Sequence, residues 1–161
     1  MKSAALIVSV LAMLPATGQA DSEARQSPWG GATEIHQSYS KQKVVFDTFS
    51  GSAEKLTSVL DRASYISVLN GADPFDNRIV IVLHGDAIPF FAARNYARHK
   101  ELMQRAQSLS VGDVIEFRMC MIAARMQGFR PEDIHGFVKM VPMADAEIVR
   151  LQQEEGFAYM Q

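Results

Sequence analysis

The sequence predicts an α/β domain built on a mainly parallel sheet, and three observations carry that expectation. Residues 78–83 (RIVIVL) form an apolar run with no polar alternation, the pattern of a strand covered by helices on both faces. Residues 43–49 (KVVFDTF) form a second β-branched and aromatic run, and such runs bounded by turn residues read as strands. Between them, Leu56, Val59, Leu60, Ala63 and Ile66 recur at helical spacing. Strand, helix, strand in that order requires a right-handed crossover and parallel pairing.

The elements follow in chain order. The first strand ends at Ser50-Gly51-Ser52, a turn with serines suited to cap a helix over residues 53–69. Asn70-Gly71 with Pro74 stops that helix. After the central strand, residues 95–109 read as a second helix, with Tyr96, His99, Leu102, Met103 and Ala106 inward and Arg94, Arg98 and Arg105 toward solvent. Ser110-Val111-Gly112-Asp113 closes it. In the third strand, residues 114–119 (VIEFRM), Ile115, Phe117 and Met119 alternate with Glu116 and Arg118, and Cys120 continues the polar side. A short helix over 121–127 ends at Gly128, a short strand spans 136–141, and a last helix over 144–155 turns Ile148 and Leu151 inward before Gly156 caps it. Residues 157–160 add a final strand.

Ahead of the domain, Lys2, an apolar stretch at 4–14 and Gly18-Gln19-Ala20 have the charge, hydropathy and small residues of a secretory signal. The expected organisation is a signal peptide over 1–20, a flexible leader over 21–42 rich in Ser, Gln and Gly, and one α/β domain over 43–161. Cleavage after Ala20 leaves about 140 residues, enough for a single core. A bacterial product would be periplasmic and free of the membrane. The net charge of −2 is interspersed and does not suggest a nucleic-acid or anionic membrane partner.

Ligands of open parallel sheets bind beyond the carboxyl ends of the strands, which here means residues 48–52, 84–87 and 120 onward. The turn at 49–52 lacks the glycines of a dinucleotide fingerprint and the lysine of a P-loop, so no cofactor is expected, and Ser50 and Ser52 read as caps. No zinc or iron ligand spacing is present. Cys120, the single cysteine, can form no intramolecular disulfide. It stands where a strand meets a helix, a position that favours a thiolate, with Arg118 and Arg125 near in sequence. An equally good reading is a buried structural cysteine. His84, followed by Gly85, ends the second strand and suits either proton transfer beside the thiol or a hydrogen-bonded turn. Met119-Cys120-Met121, with Met126, Met140 and Met143, admit a soft-ligand Cu(I) site, although core filling is the better account of the methionines.

These pieces in this order resemble the DsrE/DsrF-like family of small sulfur-relay proteins, in its exported, single-cysteine branch. The resemblance spans roughly residues 43–159 and rests on KVVFDTF, on IVIVLHGDA with His84, Gly85, Asp86 and Ala87, on the block from Cys120 through Arg125 to Gly128, and on VPMADAEIVRLQQEEGFAYM. It implies a three-layer α/β/α fold, a five-stranded sheet, and homotrimers or homohexamers. Relatives hold sulfur as a persulfide on a cysteine after the third strand, the place of Cys120 here. Other members lack that cysteine and act as structural or binding subunits, and the relay partners of the family are mostly cytoplasmic, whereas this chain is expected to carry a secretory signal.

The leading expectation is a periplasmic sulfur carrier, a sulfurtransferase-like protein in which Cys120 holds sulfane sulfur and His84 and Arg125 stabilise the anion, exchanging sulfur with donor and acceptor proteins or small thiols. The alternatives are a non-catalytic oligomeric binding or structural subunit with an inert cysteine and, behind both, a copper binder. Export processing has a direct test: the intact mass of the exported product should correspond to a chain starting at or near Asp21, and a mass that retains residues 1–20 would contradict it.

Overall fold

The computed structural model describes residues 30–73 and 79–161. The expected signal peptide, most of the leader, Pro74 and Arg78 lie outside the described residues. The chain divides into two units, Met1–Gln37 and Ser38–Gln161. Residues 30–37 of the first are exposed and form neither helix nor strand, and every helix and strand among the described residues belongs to the second.

The second unit is an α/β domain on a five-stranded, wholly parallel sheet. Strands β1 (Val44–Thr48), β2 (Ile79–Leu83), β3 (Glu116–Cys120), β4 (Val138–Val141) and β5 (Ala158–Met160) lie in the order β4-β3-β2-β1-β5. All four pairings are parallel, with Val44 opposite Ile79, Leu83 opposite Met119, Cys120 opposite Val141 and Val45 opposite Tyr159. The first three crossovers step in one direction from β1 to β4, and the fourth returns past β1 to β5. All five residues of β2 are buried, as a run without polar alternation requires.

Helix α1 (Ala53–Leu69) starts where Ser52 accepts a hydrogen bond from the Lys55 backbone N–H at 3.3 Å, so the expected serine cap forms. It buries Leu56, Leu60 and Ala63 and packs Val59 and Ile66 beside them. At its end Asn70 is buried, and its side chain both accepts from the Gln42 N–H at 2.7 Å and donates to the Gln42 carbonyl at 2.8 Å. The stop residue of the helix therefore also fixes the chain entering β1.

The segment after β2 departs from expectation. Instead of one helix over 95–109, two 3-10 stretches, Gly85–Phe91 and Ala93–Arg98, precede α2 (Lys100–Ser110). Buried Ile88, Phe90 and Phe91 pull this stretch into the core, and the Asn95 amide donates to the Pro89 carbonyl at 2.8 Å. The tighter 3-10 winding changes the helical phase. Met103 and Ala106 stay buried, but Tyr96 lies outside the α-helix and is 36% exposed.

Helix α3 (Met121–Met126) follows β3 directly, and α4 (Ala144–Glu155) ends at Gly156, whose φ of 73° is the left-handed value glycine adopts without a Cβ penalty. The two sheet faces carry separate cores. Phe46, Ile81, Leu83, Phe117 and Met119 pack with α1 and α2. Val45, Val80, Val82 and Cys120 pack with Ala144, Ile148 and Leu151 of α4 and with Phe157. The alternation read in β3 thus holds, with Ile115, Phe117 and Met119 in the first core and Cys120 in the second.

Phe117 is fully buried, with Phe91 and Phe137 rings at 5.8 and 5.6 Å. Truncating such a side chain removes its transfer free energy and leaves a cavity, so Phe117→Ala should lower unfolding free energy by about 3–5 kcal/mol in chemical denaturation. A loss below about 1 kcal/mol would contradict this placement.

Candidate functional site

The site is built at the carboxyl edge of the three middle strands. Asp47 is the one acidic residue of β1, and β1 is otherwise apolar up to Thr48. A carboxylate in such a strand needs partners, and Asp47 has two. Its Oδ1 lies 2.6 Å from His84 Nε2, and its Oδ2 accepts from the Tyr159 hydroxyl at 2.7 Å. The hydrogen bond to Asp47, aided by burial, raises the Tyr159 phenol above its ordinary value, so the hydroxyl remains a donor.

His84 directly follows β2 in extended conformation, with its N–H bonded to the Thr48 carbonyl at 3.0 Å. Because a carboxylate only accepts, the contact with Asp47 places the proton on Nε2 and leaves Nδ1 for other chemistry. The Phe49 ring packs 5.7 Å from the imidazole. Gly85 is needed beside it: its φ is 52°, and a Cβ there would stand 3.2 Å from the Phe49 carbonyl oxygen. Gly85 thus approaches the backbone of the turn that follows β1.

Cys120 ends β3 and caps α3, its Sγ accepting from the Ala123 N–H at 3.4 Å. The residue is 5% exposed. His84 and Cys120 are one register step beyond the Leu83–Met119 pair, on strands that neighbour each other at about 4.8 Å. The Gln127 side chain, just past α3, donates to the Gly85 carbonyl at 2.7 Å, which ties the cysteine helix to the histidine turn.

The two arginines are placed differently from each other. Arg118 does not serve the thiol: its guanidinium donates to Glu116 at 2.7 Å and to Glu147 of α4 by a short contact. Burial works against its charge, and the two carboxylates more than offset that, so its pKa is raised. For Glu116, burial pushes the carboxyl up but is outweighed by Arg118 and Lys139, and the net direction is down. Glu147 is lowered by hydrogen bonding to Arg150, against burial, and by Arg118. Arg125 is exposed on α3, and no hydrogen bond or ion pair joins it to Cys120.

Three of the candidate methionines do not surround the thiol. Met119 and Met140 pack into the core under α1 and α2, whereas Cys120 faces α4, and Met126 is 84% exposed. Among the described residues no three His, Cys, Asp or Glu side chains cluster as a metal site would require. His135 lies in a loop, its pKa lowered by burial. Asp47 and Tyr159 are the site residues that sequence reasoning missed, and an acid inside an apolar strand was the available signal for the first.

No family model matches the chain, and no curated protein matches it. Among solved structures, a protein of unknown function from Methanobacterium thermoautotrophicum is similar, with a TM-score of 0.59 and 22% identity, over 74% of this chain and 97% of that one. At that identity the likeness carries the α/β fold alone. Among the described residues no helix is long and apolar enough to cross a membrane.

The buried Glu116–Arg118–Glu147 chain has a pH consequence. Both glutamates are lowered in the folded state from an ordinary value of about 4.5, so the stability they contribute is complete above that pH and is lost as pH falls through the depressed values. Glu147→Gln should be less stable than wild type by about 1–3 kcal/mol at pH 7, and the gap should narrow progressively as pH falls below about 4.5. Equal differences at pH 7 and pH 3.5 in urea unfolding would contradict the pairing.

Proposed function

We propose that this chain is an exported sulfur carrier of the DsrE/DsrF-like kind, periplasmic in a bacterium and homo-oligomeric, which holds sulfane sulfur as a persulfide on Cys120. The observation that carries the proposal is the alignment of Cys120, His84 and Asp47 at one edge of the sheet, with His84 anchored through Nε2 at 2.6 Å. The chemistry needs no cofactor. His84 takes the thiol proton, the thiolate attacks the outer sulfur of a donor persulfide, the donor S–S bond breaks, and the donor leaves as a thiolate. The result is Cys120–S–S⁻, with no net oxidation. Attack by an acceptor thiolate on the terminal sulfur reverses the exchange and returns the Cys120 thiolate.

In this proposal Asp47 is a positioning residue: it fixes the tautomer and direction of His84 and is itself held by Tyr159. The Ala123 N–H at 3.4 Å from Sγ supports the anion. Arg125, exposed on the same helix, is available to an incoming anionic donor rather than bonded to the sulfur.

One observation favours a second reading, a binding or structural subunit with an inert cysteine: Cys120 is only 5% exposed. The two separate in one experiment. Incubation of the folded protein with polysulfide should add a single sulfur mass to wild type and none to Cys120→Ser. Asp47→Asn, which misorients His84, should slow that addition by about tenfold or more while leaving the adduct site unchanged. A cysteine that gains sulfur only after unfolding would establish the inert subunit instead.

A further inference from the structure

A cavity of about 330 Å3 opens over the carboxyl end of β1 and the first turns of α1, at the low end of the roughly 300–1,000 Å3 typical of small-molecule sites. Its position is the point where the winding of the sheet reverses, since β1 lies between β2, reached by the first crossover, and β5, reached by the last. Crevices at such points are where open parallel sheets take ligands. Its walls carry both charge and apolar surface, from Lys55, Arg62, Phe49 and Val59, with Thr48 and Asp47 at the strand end.

The polar groups there are incompletely used. The Lys55 ammonium has no carboxylate partner among the described residues. Arg62 lies over the Phe46 ring at 5.1 Å and donates one N–H to the Gln161 main-chain oxygen by a short contact, which leaves guanidinium donors over. Asp47, the acidic residue of the wall, has its two oxygens taken by His84 and Tyr159. Thr48 is 4% exposed, and its buried hydroxyl has no hydrogen-bond partner among the described residues, an arrangement that costs free energy unless a partner arrives. Phe49 is 52% exposed on the same rim.

We infer that this cavity binds a small organic carboxylate with an apolar body, its head group held between Lys55 and Arg62, its body against Phe49 and Val59, and the Thr48 hydroxyl turned to it on binding. Two cations facing one engaged carboxylate select an anion, and the apolar wall selects against a bare inorganic one. The cavity borders the proposed sulfur site at Asp47 but does not include Cys120, and the inference stands whether or not Cys120 carries sulfur.

The test is a titration of the full chain with benzoate at constant ionic strength, followed by amide NMR, with benzyl alcohol as the neutral counterpart and inorganic phosphate as the anion without an apolar body. Benzoate should shift the amides of residues 48–50 and 55–62 saturably, and both counterparts should bind at least tenfold more weakly. Lys55→Gln, at an exposed position that leaves the fold intact, should weaken benzoate at least fivefold, and Arg62→Gln likewise. Thr48→Val should weaken benzoate while raising the melting temperature of the free protein, because it removes an unpaired buried hydroxyl. Cys120→Ser should leave the affinity unchanged. The inference is overturned if benzoate gives no saturable shift at these residues, if benzyl alcohol or phosphate binds equally well, if Lys55→Gln has no effect, or if Cys120→Ser weakens binding as much as the cation variants.

Discussion

Strands that all point the same way cannot be joined by tight hairpins, so each must be followed by a crossover that covers a face of the sheet. With β2 apolar at all five positions and buried throughout, both faces need cover, and the order β4-β3-β2-β1-β5 supplies it. The early helices take one face and α4, on the returning crossover, takes the other. Everything chemical in the domain follows from this arrangement. Every loop after a strand opens on the same edge, and that edge gathers Asp47, His84 and Cys120 from three different strands.

The polar residues of the sheet show what two-sided burial demands. Glu116 and Arg118 would be misplaced on the α4 face if they stood alone. Instead Arg118 bridges Glu116 on its own strand and Glu147 on the helix above. Removing one partner of such a chain leaves an uncompensated, largely desolvated charge, so the chain also fixes α4 against β3. The same ion pairs commit Arg118 to the fold, and the environment of Cys120 is built instead from the start of α3 and from the apolar face packed on α4. Asp47 shows the same logic beside the proposed sulfur site. It satisfies itself through a histidine and a tyrosine, and in doing so it orients the imidazole and ties β5 to the edge where the sulfur lies.

Much of the fold was readable from residue order alone. The apolar run at β2, the helical spacing of Leu56, Leu60 and Ala63, and the alternation in β3 are local patterns imposed by periods of 3.6 and 2, and they placed α1, α4 and the central strands. Where local pattern misled, at residues 95–98, the cause was non-local: Phe90 and Phe91 are drawn into a core they share with Phe117 and Phe137, and that pull winds the chain into 3-10 turns. The position of Cys120 between a strand and a helix was likewise legible, since it depends on the order of two adjacent segments.

What the sequence determined by itself was therefore the α/β class, most of the elements and which residues stand at the carboxyl edge of the sheet, because periodicity and connection rules act over short stretches of chain. Only the tertiary structure decided which side chains meet there. The pairing of Asp47 with His84, 37 residues apart, and with Tyr159, 112 residues apart, depends on strand order and register. So does the diversion of Arg118 to Glu147 and the separation of Met119 from Cys120 by the sheet itself. No local period encodes these contacts: they arise when β5 returns past the other strands to lie beside β1, an outcome set by which faces remained to be buried.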